Sequence, residues 1–244
     1  MRQPRIPVSG ELAIGQLVPL ADDQAHHVLK VLRLPAGADM RLFNGAPGDW
    51  LGNLVVTGKR TASVEINDFV AQATEPALTI TLIQGLSRGQ RMDYTLEKSV
   101  ELGVSRVVPV IMTRSQAIPE GERRARKAAH WQGVVASAAA QSGRTRMPEV
   151  EPLQGFNDWL GAARCDHHPH LLLDPEAELR VRELTDAPAR ITLLAGPEGG
   201  FTPEERTMAY AHGCRAMRLG PRVLRTETAA VAALAALQAV HGDL

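Results

Sequence analysis

The sequence predicts an α/β protein in which a small β-barrel domain precedes a larger α/β domain. Residues 1 to about 72 contain short apolar runs separated by turn clusters, a pattern typical of a compact barrel. After residue 75, strand patterns alternate with helical ones, which predicts a largely parallel sheet. Two turns rich in glycine and proline, at residues 196–200 and 219–225, each follow a strand and precede a helix. Open α/β sheets bind ligands at such turns, so we expect a ligand site there.

The N-terminal domain, residues 1–74, is predicted to contain four strands and one helix. The strands are assigned to Gln16 to Leu20, Met40 to Phe43, Leu51 to Thr57 and Ala62 to Ile66. The helix is assigned to His26 to Leu34, since Pro35 ends the pattern. The spacing of Val28, Val31 and Leu32 predicts that these side chains form one buried face. The opposite, exposed face would carry His27, Lys30 and Arg33.

The second domain, residues 75–244, begins at a short polar connection, Ala71 to Pro76. Strands are predicted at Leu78 to Leu82, Val104 to Met112, His170 to Leu173 and Ile191 to Leu194. Helices are predicted along the stripe formed by Met92, Leu96 and Val100, at Glu122 to Ser142, at Gln154 to Ala163 and at Thr226 to Val240. The last of these helices is rich in alanine, so it would pack either in the core or against a second subunit.

The first glycine-rich turn, Gly196 to Gly200, is followed by a strong helix start. Thr202 fits the N-cap, Pro203 the first helical position, and Glu205 the end of a capping box. Glycine leaves the backbone bare and permits positive φ, which we expect at Gly199. Either glycine-rich turn alone would also fit an ordinary strand-to-helix connection. The presence of two favours a ligand site.

Composition argues against several classes of protein. The chain is 44% hydrophobic, and its longest apolar run, Ala229 to Leu237, is too short for a membrane span. The first residues lead into no apolar signal region, so we expect a soluble cytoplasmic protein. Cys165 and Cys214 form no Cys-x-x-Cys pair and are expected to be buried thiols.

No metal site is predicted from the histidines. The pair His26 and His27 has no third ligand nearby. Pro169 interrupts the segment His167 to His170, which we therefore assign to a solvent-exposed loop. We also find no Gly-x-Gly-x-x-Gly after the first strand of the second domain and no Gly-x-Ser-x-Gly, which weighs against dinucleotide-binding and hydrolase sites.

Charge is balanced overall but unevenly distributed. The chain has 27 basic and 27 acidic residues, so its net charge indicates no partner. The segment Arg114 to Arg146 carries a net charge of +5, which fits either a solvated helix face or contact with nucleic acid. A second group follows with no acidic residue between its members: Arg215, Arg218, Arg222 and Arg225.

The sequence resembles the SPOUT methyltransferases, and specifically the ribosomal RNA small subunit methyltransferase E family, over nearly the whole chain. The residues that carry the resemblance are Arg5, His27 to Leu34, Phe43 to Gly45, Ser87 to Gly89, Met92, Glu97 to Val104, Gln141 to Arg144, Gly196 to Gly200 and Leu219 to Ala229. Members of that family methylate N3 of a uridine in 16S ribosomal RNA. The resemblance implies a PUA-like N-terminal domain for RNA, a C-terminal α/β domain with a trefoil knot, S-adenosylmethionine as cofactor, and a homodimer.

The resemblance also implies roles for individual residues. The cofactor would be bound by Leu172, Leu173, Asp174, Leu194, Gly196, Pro197, Glu198, Gly199, Gly200, Leu219, Gly220, Val223, Leu224 and Thr226. Arg225 would stabilise negative charge on the uracil oxygens. Glu227 would accept the N3 proton, orient Arg225, or simply occupy the first turn of its helix. Contacts with RNA phosphates are expected from Arg5, His27, Lys30, Arg33, Arg88, Arg123, Arg124 and Lys127.

Two other functions remain open from the sequence. One is a SPOUT enzyme with a different target, such as transfer RNA. The other is an RNA-binding assembly factor whose methyl-donor pocket is vestigial, although the intact glycine-rich turns favour an enzyme. For the favoured function, the substrate is either naked 16S ribosomal RNA or the assembled small subunit.

Overall fold

The computed structural model describes residues 3–163, 168–184 and 188–244. The chain divides into two compact units. The first consists of Met1–Glu75 together with Ala139–Met147, and the second of Pro76–Ala138 and Pro148–Leu244. Cys165 and His167, which entered the predictions, lie outside the described residues.

The first unit is built on a five-stranded sheet in the order β1-β3-β4-β5-β2. Its strands are β1 (Arg5–Pro7), β2 (Leu17–Pro19), β3 (Asp39–Phe43), β4 (Gly48–Val56) and β5 (Ala62–Ala71). Strands β1 and β3 are parallel, and the other pairs are antiparallel. Strand β1 was not predicted, because a three-residue strand that ends in proline has no measurable periodicity. The core is formed by Val28, Met40, Leu42, Leu54, Val64 and Ile66.

The helix in the first unit differs from the prediction. Helix α1 (Asp22–His26) starts earlier, and His27–Val31 form a π-helix. The N–H of Leu32 donates to the carbonyl oxygen of His27, five residues back, at 2.9 Å. A π turn contains more residues than an α turn, so the spacing of three and four residues no longer keeps side chains on one face. Val28 is buried, but Val31 is 60% exposed and Leu32 is 41% exposed.

The second unit contains a parallel sheet in the order β12-β10-β11-β6-β7-β8, with β9 also paired to β7. Its strands are β6 (Thr79–Gly85), β7 (Val104–Ile111), β8 (Glu149–Val150), β9 (Gln154–Gly155), β10 (His170–Leu173), β11 (Arg190–Ala195) and β12 (Arg215–Met217). Its helices are α2 (Gln90–Glu101), α3 (Glu122–Ser142, shared with the first unit), α4 (Phe156–Ala162), α5 (Pro203–Ala211) and α6 (Thr226–His241).

Most predicted elements of the second unit are confirmed. Helix α3 and strand β10 have the predicted ends. The stripe Met92, Leu96 and Val100 is fully buried on α2. Helix α4 starts at Phe156 instead of Gln154, because Gln154–Gly155 pair with β7 as a short strand.

His170 contradicts the expectation of a solvent loop. It begins β10, is 4% exposed, and its ring centroid lies 4.6 Å from that of His168 and 6.3 Å from that of Trp159, with the rings tilted. Burial lowers the pKa of His170, although a hydrogen bond to the carbonyl oxygen of His168 opposes the shift. Pro169 therefore ends the loop instead of continuing it.

Helix α6 uses its alanines for packing inside the second unit. Its buried residues are Ala230, Ala233, Leu234, Leu237 and Gln238. The helix packs on α2, and small side chains let two helices approach closely. This confirms core packing for one face, while the opposite face remains half-buried or exposed. Among the described residues, no helix is both long and apolar enough to span a membrane.

Candidate functional site

Three loops meet at one edge of the parallel sheet in the second unit. Strands β12, β10 and β11 are neighbours, and because they are parallel their carboxyl ends lie side by side. Residues 174–180 follow β10, residues 196–202 follow β11, and residues 218–225 follow β12. Ligands bind at such edges in open α/β sheets.

These loops enclose a cavity of about 280 Å³. Most of the predicted cofactor residues line it: Leu173, Asp174, Gly196, Pro197, Glu198, Gly199, Gly200, Leu219, Gly220, Val223, Leu224 and Thr226. Arg225, one of the two predicted catalytic residues, lines it as well. The sequence therefore identified both glycine-rich turns and their common position correctly.

Leu172 and Leu194 do not line this cavity and are corrections. Both are fully buried in an apolar cluster with Phe156 and Leu160. Side chains alternate along a strand, so the next residues, Leu173 and Ala195, face the cavity instead.

Three further lining residues, Pro175, Ala195 and Arg222, lie within the three loops that the family resemblance assigns to the cofactor, Leu172 to Pro175, Leu194 to Gly200 and Leu219 to Leu224. Five lining residues outside those loops were not predicted as cofactor contacts: Phe201, Arg206, Met217, Arg218 and Ala229. Arg206 comes from α5, whose first turn reaches the cavity only in the folded chain. Arg218 and Arg222 belong to the acid-free run of arginines. Their position beside a glycine-rich turn was the signal in the sequence that could have indicated a place in the cavity lining.

The loop after β11 owes its shape to two glycines with different roles. Gly200 has a φ of 66°, and a Cβ there would meet open space. Gly199 does not have the expected positive φ; a Cβ on Gly199 would lie 2.8 Å from Cβ of Arg114. Arg114 also donates from Nη1 to the carbonyl oxygen of Gly199 at 2.7 Å. Close packing therefore requires glycine at 199, and backbone conformation requires it at 200.

The start of α5 is fixed by the predicted capping box. Glu205 N–H donates to Thr202 Oγ1 at 3.2 Å, and Thr202 N–H donates to Glu205 Oε2 at 2.9 Å. Glu205 is 3% exposed and its other oxygen accepts from the N–H of Thr113 at 2.8 Å. A single buried carboxylate thus ties the cavity loop to the segment after β7.

The same loop is held to α6 by Thr226. Thr226 Oγ1 donates to the carbonyl oxygen of Gly196 at 2.5 Å. The fully buried Gln84, at the end of β6, donates from Nε2 to Thr226 Oγ1 at 3.3 Å. Next to it, a Cβ on Gly85 would overlap Pro197, so glycine there lets the loop rest on the end of β6.

Glu198 is a cavity residue whose carboxylate points toward α2. Its Oε1 accepts from the N–H of Arg88 at 2.9 Å and from Nη1 of Arg91 at 3.2 Å. Burial alone would raise the pKa of Glu198. Hydrogen bonds from the backbone N–H groups of Arg88 and Glu198 itself and from the Arg91 side chain outweigh burial and lower it.

Asp174 forms a second charged group at the cavity wall. It is 5% exposed, and its Oδ2 lies 3.3 Å from both the Tyr210 hydroxyl and Nη1 of Arg206. Burial raises the pKa of Tyr210, and the adjacent Asp174 carboxylate raises it further. This end of the cavity is therefore strongly polar.

The two predicted catalytic residues lie in different surroundings. Arg225 is the N-cap residue of α6, is exposed, and faces the cavity. Glu227 is not among the residues that line it. Its Oε1 lies 3.8 Å from Nε of Arg91. Position in the first turn of α6 and pairing with Arg91 account for Glu227 without a proton-transfer role.

Most of the predicted RNA contacts are available at the surface. His27, Lys30, Arg33, Arg88, Arg123 and Arg124 are exposed, and Lys127 is half-buried. Two of them also have contacts within the protein: Arg124 donates to the carbonyl oxygen of Leu153, and Lys127 Nζ lies 5.8 Å from the Trp131 ring centroid. Arg33 is one of the non-glycine residues with positive φ, at 53°.

Arg5 is a correction, because it is buried inside the first unit. Its side chain is 5% exposed and pairs with Asp49, which is 1% exposed, at 2.7 Å. Its remaining N–H groups donate to the carbonyl oxygens of Ala139, Ala140 and Arg144. Arginine has five N–H donors, and all five are used within the protein, so none is left for a phosphate.

Comparison with known families defines the class of protein. Residues 74–238 match the RNA methyltransferase domain family, and residues 20–67 match the RNA methyltransferase PUA domain family. The cavity lies within the first of these domains, and the chain is therefore an RNA methyltransferase.

Individual relatives identify the family more closely. The chain is 30% identical to a ribosomal RNA small subunit methyltransferase E from Buchnera aphidicola (subspecies Schizaphis graminum), covering 100% of this chain and 98% of that one. The protein of the same name from Neisseria gonorrhoeae, solved bound to S-adenosyl methionine, superimposes with a TM-score of 0.91 and 38% identity over 100% of both chains. A Legionella pneumophila structure with bound SAM gives a TM-score of 0.93 and 36% identity over 100% of both chains. The chain belongs to the ribosomal RNA small subunit methyltransferase E family.

Proposed function

We propose that this protein transfers a methyl group from S-adenosylmethionine to N3 of a specific uridine in 16S ribosomal RNA. The observation that carries the proposal is the three-loop cavity in a chain of this family. The bound S-adenosyl methionine in the Neisseria gonorrhoeae relative supports the choice of cofactor.

The cavity residues fit this cofactor. A Cβ on Gly196 would lie 3.2 Å from the backbone of Gly200, so the bare main chain itself forms the wall. Leu173, Leu219 and Leu224 supply apolar surface, and charged side chains are also part of the lining. A volume of about 280 Å³ is close to the lower end of small-molecule sites, roughly 300 to 1,000 Å³. When bound, S-adenosylmethionine supplies an electrophilic methyl group.

Arg225 is proposed as the catalytic residue. Uridine N3 carries a proton at neutral pH, so negative charge on the uracil must be stabilised as the proton is lost. An exposed guanidinium at the cavity rim suits charge that develops on the uracil oxygens. Glu227 remains a candidate proton acceptor, but its pairing with Arg91 supports a positioning role more strongly.

The substrate RNA is proposed to be bound by exposed basic residues. N3 lies on the Watson–Crick edge, so the uridine must be unpaired or flipped out before it can react. His27, Lys30, Arg33, Arg88, Arg123, Arg124 and Lys127 would contact phosphates, which positions the RNA without reading its sequence. We further propose that the protein is a cytoplasmic homodimer that needs no metal ion.

The test is methylation of small ribosomal subunits and of naked 16S ribosomal RNA lacking the modification. Purified protein with isotope-labelled S-adenosylmethionine should place label on one uridine, identified as N3-methyluridine by mass spectrometry. Arg225→Ala protein serves as the matched control. Label on transfer RNA alone would assign a different target. Tight binding of 16S ribosomal RNA without cofactor binding would instead support an assembly factor.

A further inference from the structure

We propose that Arg91 is a positioning residue that joins the cofactor loop after β11 to the start of α6 by bridging Glu198 and Glu227. This inference rests on the proposed function, because it assigns a role in holding the methyl-donor cavity in shape. Arg91 lies in the first turn of α2 and does not itself line the cavity.

The bridge connects two segments that each contribute residues to the cavity lining, the loop after β11 and the start of α6. Glu198 belongs to the loop after β11 and lines the cavity. Glu227 is in the first turn of α6, two residues after Arg225. Arg91 contacts the first through Nη1 at 3.2 Å and the second through Nε at 3.8 Å.

The charge of both glutamates is compensated by the Arg91 guanidinium, because their side chains have little exposure to water. Their side chains are 18% and 17% exposed, whereas Arg91 is 42% exposed. In each glutamate the second oxygen, Oε2, is buried and has no hydrogen-bond partner among the described residues. Two carboxylates near one another in such surroundings repel, and a shared guanidinium offsets the repulsion.

The consequence is a link between cofactor binding and the catalytic arginine. Thr226 already holds α6 to the loop by its hydrogen bond to Gly196. Arg91 adds a second link between the same two segments, through Glu198 and Glu227. Without it, Glu198 would turn toward water and the loop would lose its fixed position. Arg225, which starts α6, would then be less well placed.

The experiment compares Arg91→Gln with Arg91→Lys and with Lys98→Gln. Lys98 is on the same helix and also bridges two glutamates, Glu97 and Glu101, but away from the cavity. We expect Arg91→Gln to raise the Kd for S-adenosylmethionine roughly tenfold, the effect of losing hydrogen bonds to a charged group. Arg91→Lys should recover most of the affinity, and Lys98→Gln should match the wild type.

A pH profile separates this role from general damage to the fold. Loss of Arg91 removes one of the interactions that lower the pKa of Glu198. In the wild type, affinity that depends on the bridge should fall as the pH drops through the lowered pKa of Glu198, and in Arg91→Gln, where the bridge is already lost, that fall should be much smaller. In a protein that also carries Glu198→Gln and Glu227→Gln, the further change Arg91→Gln should have little effect.

Specific results would overturn the inference. If the wild type binds S-adenosylmethionine and Arg91→Gln binds it equally well with the same pH profile, Arg91 does not position the loops. If Arg91→Gln weakens only RNA binding, Arg91 is an RNA contact. Failure of the wild type to bind S-adenosylmethionine would instead refute the proposed function.

Discussion

The hydroxyl oxygen of Thr226 lies 2.5 Å from the carbonyl oxygen of Gly196, although 30 residues separate them in the chain. One hydrogen bond thus fastens the loop after β11 to the start of α6. Gln84 adds a second hydrogen bond at this point by donating from Nε2 to the same hydroxyl oxygen. The cavity therefore depends on polar contacts between segments that no local sequence pattern connects.

Thr226→Val should weaken S-adenosylmethionine binding by roughly tenfold, because it leaves the Gly196 carbonyl and the Gln84 amide without this partner. Thr226→Ser should keep most of the affinity. Calorimetric titration measures both. The control is Thr207→Val, which removes a hydroxyl that donates to Pro203 on the exposed side of α5. Equal affinities for Thr226→Val and the control would show that this contact does not shape the site.

Gly200→Ala should lower the free energy of unfolding by about 1 to 2 kcal/mol, because an alanine at φ 66° is in the left-handed region. Gly200→Asn should cost less, since asparagine tolerates that region better. Chemical unfolding and cofactor titration of both variants check the order. A Gly200→Ala protein as stable as the wild type would mean that the turn relaxes.

Gly199→Ala should disturb the loop after β11 by steric overlap, since φ at Gly199 is not positive. Its Cβ would lie 2.8 Å from Cβ of Arg114, and a Cβ cannot move away by changing rotamer. We expect weaker S-adenosylmethionine binding, partly restored by Arg114→Gly in the same chain. Absence of any rescue would indicate that position 199 touches the ligand directly.

Arg225→Ala should reduce turnover roughly a hundredfold or more while changing the Kd for S-adenosylmethionine far less. The expected loss follows from removing a donor that acts on charge present only in the transition state. Single-turnover methylation and calorimetry separate the two effects. Normal turnover with weak cofactor binding would place Arg225 in the cofactor site instead.

Arg5→Met should lower the free energy of unfolding by about 3 to 5 kcal/mol, because it removes the 2.7 Å partner of the buried Asp49 carboxylate and leaves it the longer, 3.4 Å contact with Arg41. Lys30→Met, at an exposed position in the same unit, should change it by no more than about 0.5 kcal/mol. Urea unfolding measures both. For RNA affinity the order should be reversed, with the larger loss in Lys30→Met. Of the two variants, only Lys30→Met should reduce the salt dependence of RNA binding. Similar unfolding free energies would contradict the buried role of Arg5.

Glu75 should make stability depend on pH. Burial would raise its pKa, but hydrogen bonds from the Arg144 side chain and from the N–H groups of Arg146 and Thr145 lower it below the ordinary 4.5. A depressed folded pKa means that this stabilisation is complete above about pH 4.5 and is lost as the pH falls through the folded pKa. Unfolding of wild type and Glu75→Gln from pH 7 to pH 3 tests this. A difference that stays constant over that range would contradict it.

Local signals in the sequence predicted most of the second unit. Hydrophobic spacing on α2 and the capping box at Thr202 and Glu205 depend on neighbours only a few residues away, so they can be read from the chain. The glycine-rich turns likewise predicted the cavity. Leu172 and Leu194 were misplaced because a strand's two faces look alike when both are apolar. The trefoil knot stays a prediction of the family resemblance.

Other features had no local signal. The π-helix at His27–Val31 changes which residues face the core without changing composition. The partners of Arg5 lie 44 and more than 130 residues away in the chain. Arg206 and Arg218 reach the cavity only because α5 and β12 pack beside the loops. Such long-range contacts arise from the tertiary fold, which a single sequence does not display.

The first unit is discontinuous along the chain, since Ala139–Met147 fold with Met1–Glu75. Arg5 holds the carbonyl groups of this returning segment, and Glu75 holds Arg144 within it. Recombination that exchanged only the first 75 residues between family members would separate these partners. A folded, active chimera should therefore take both stretches from the same parent.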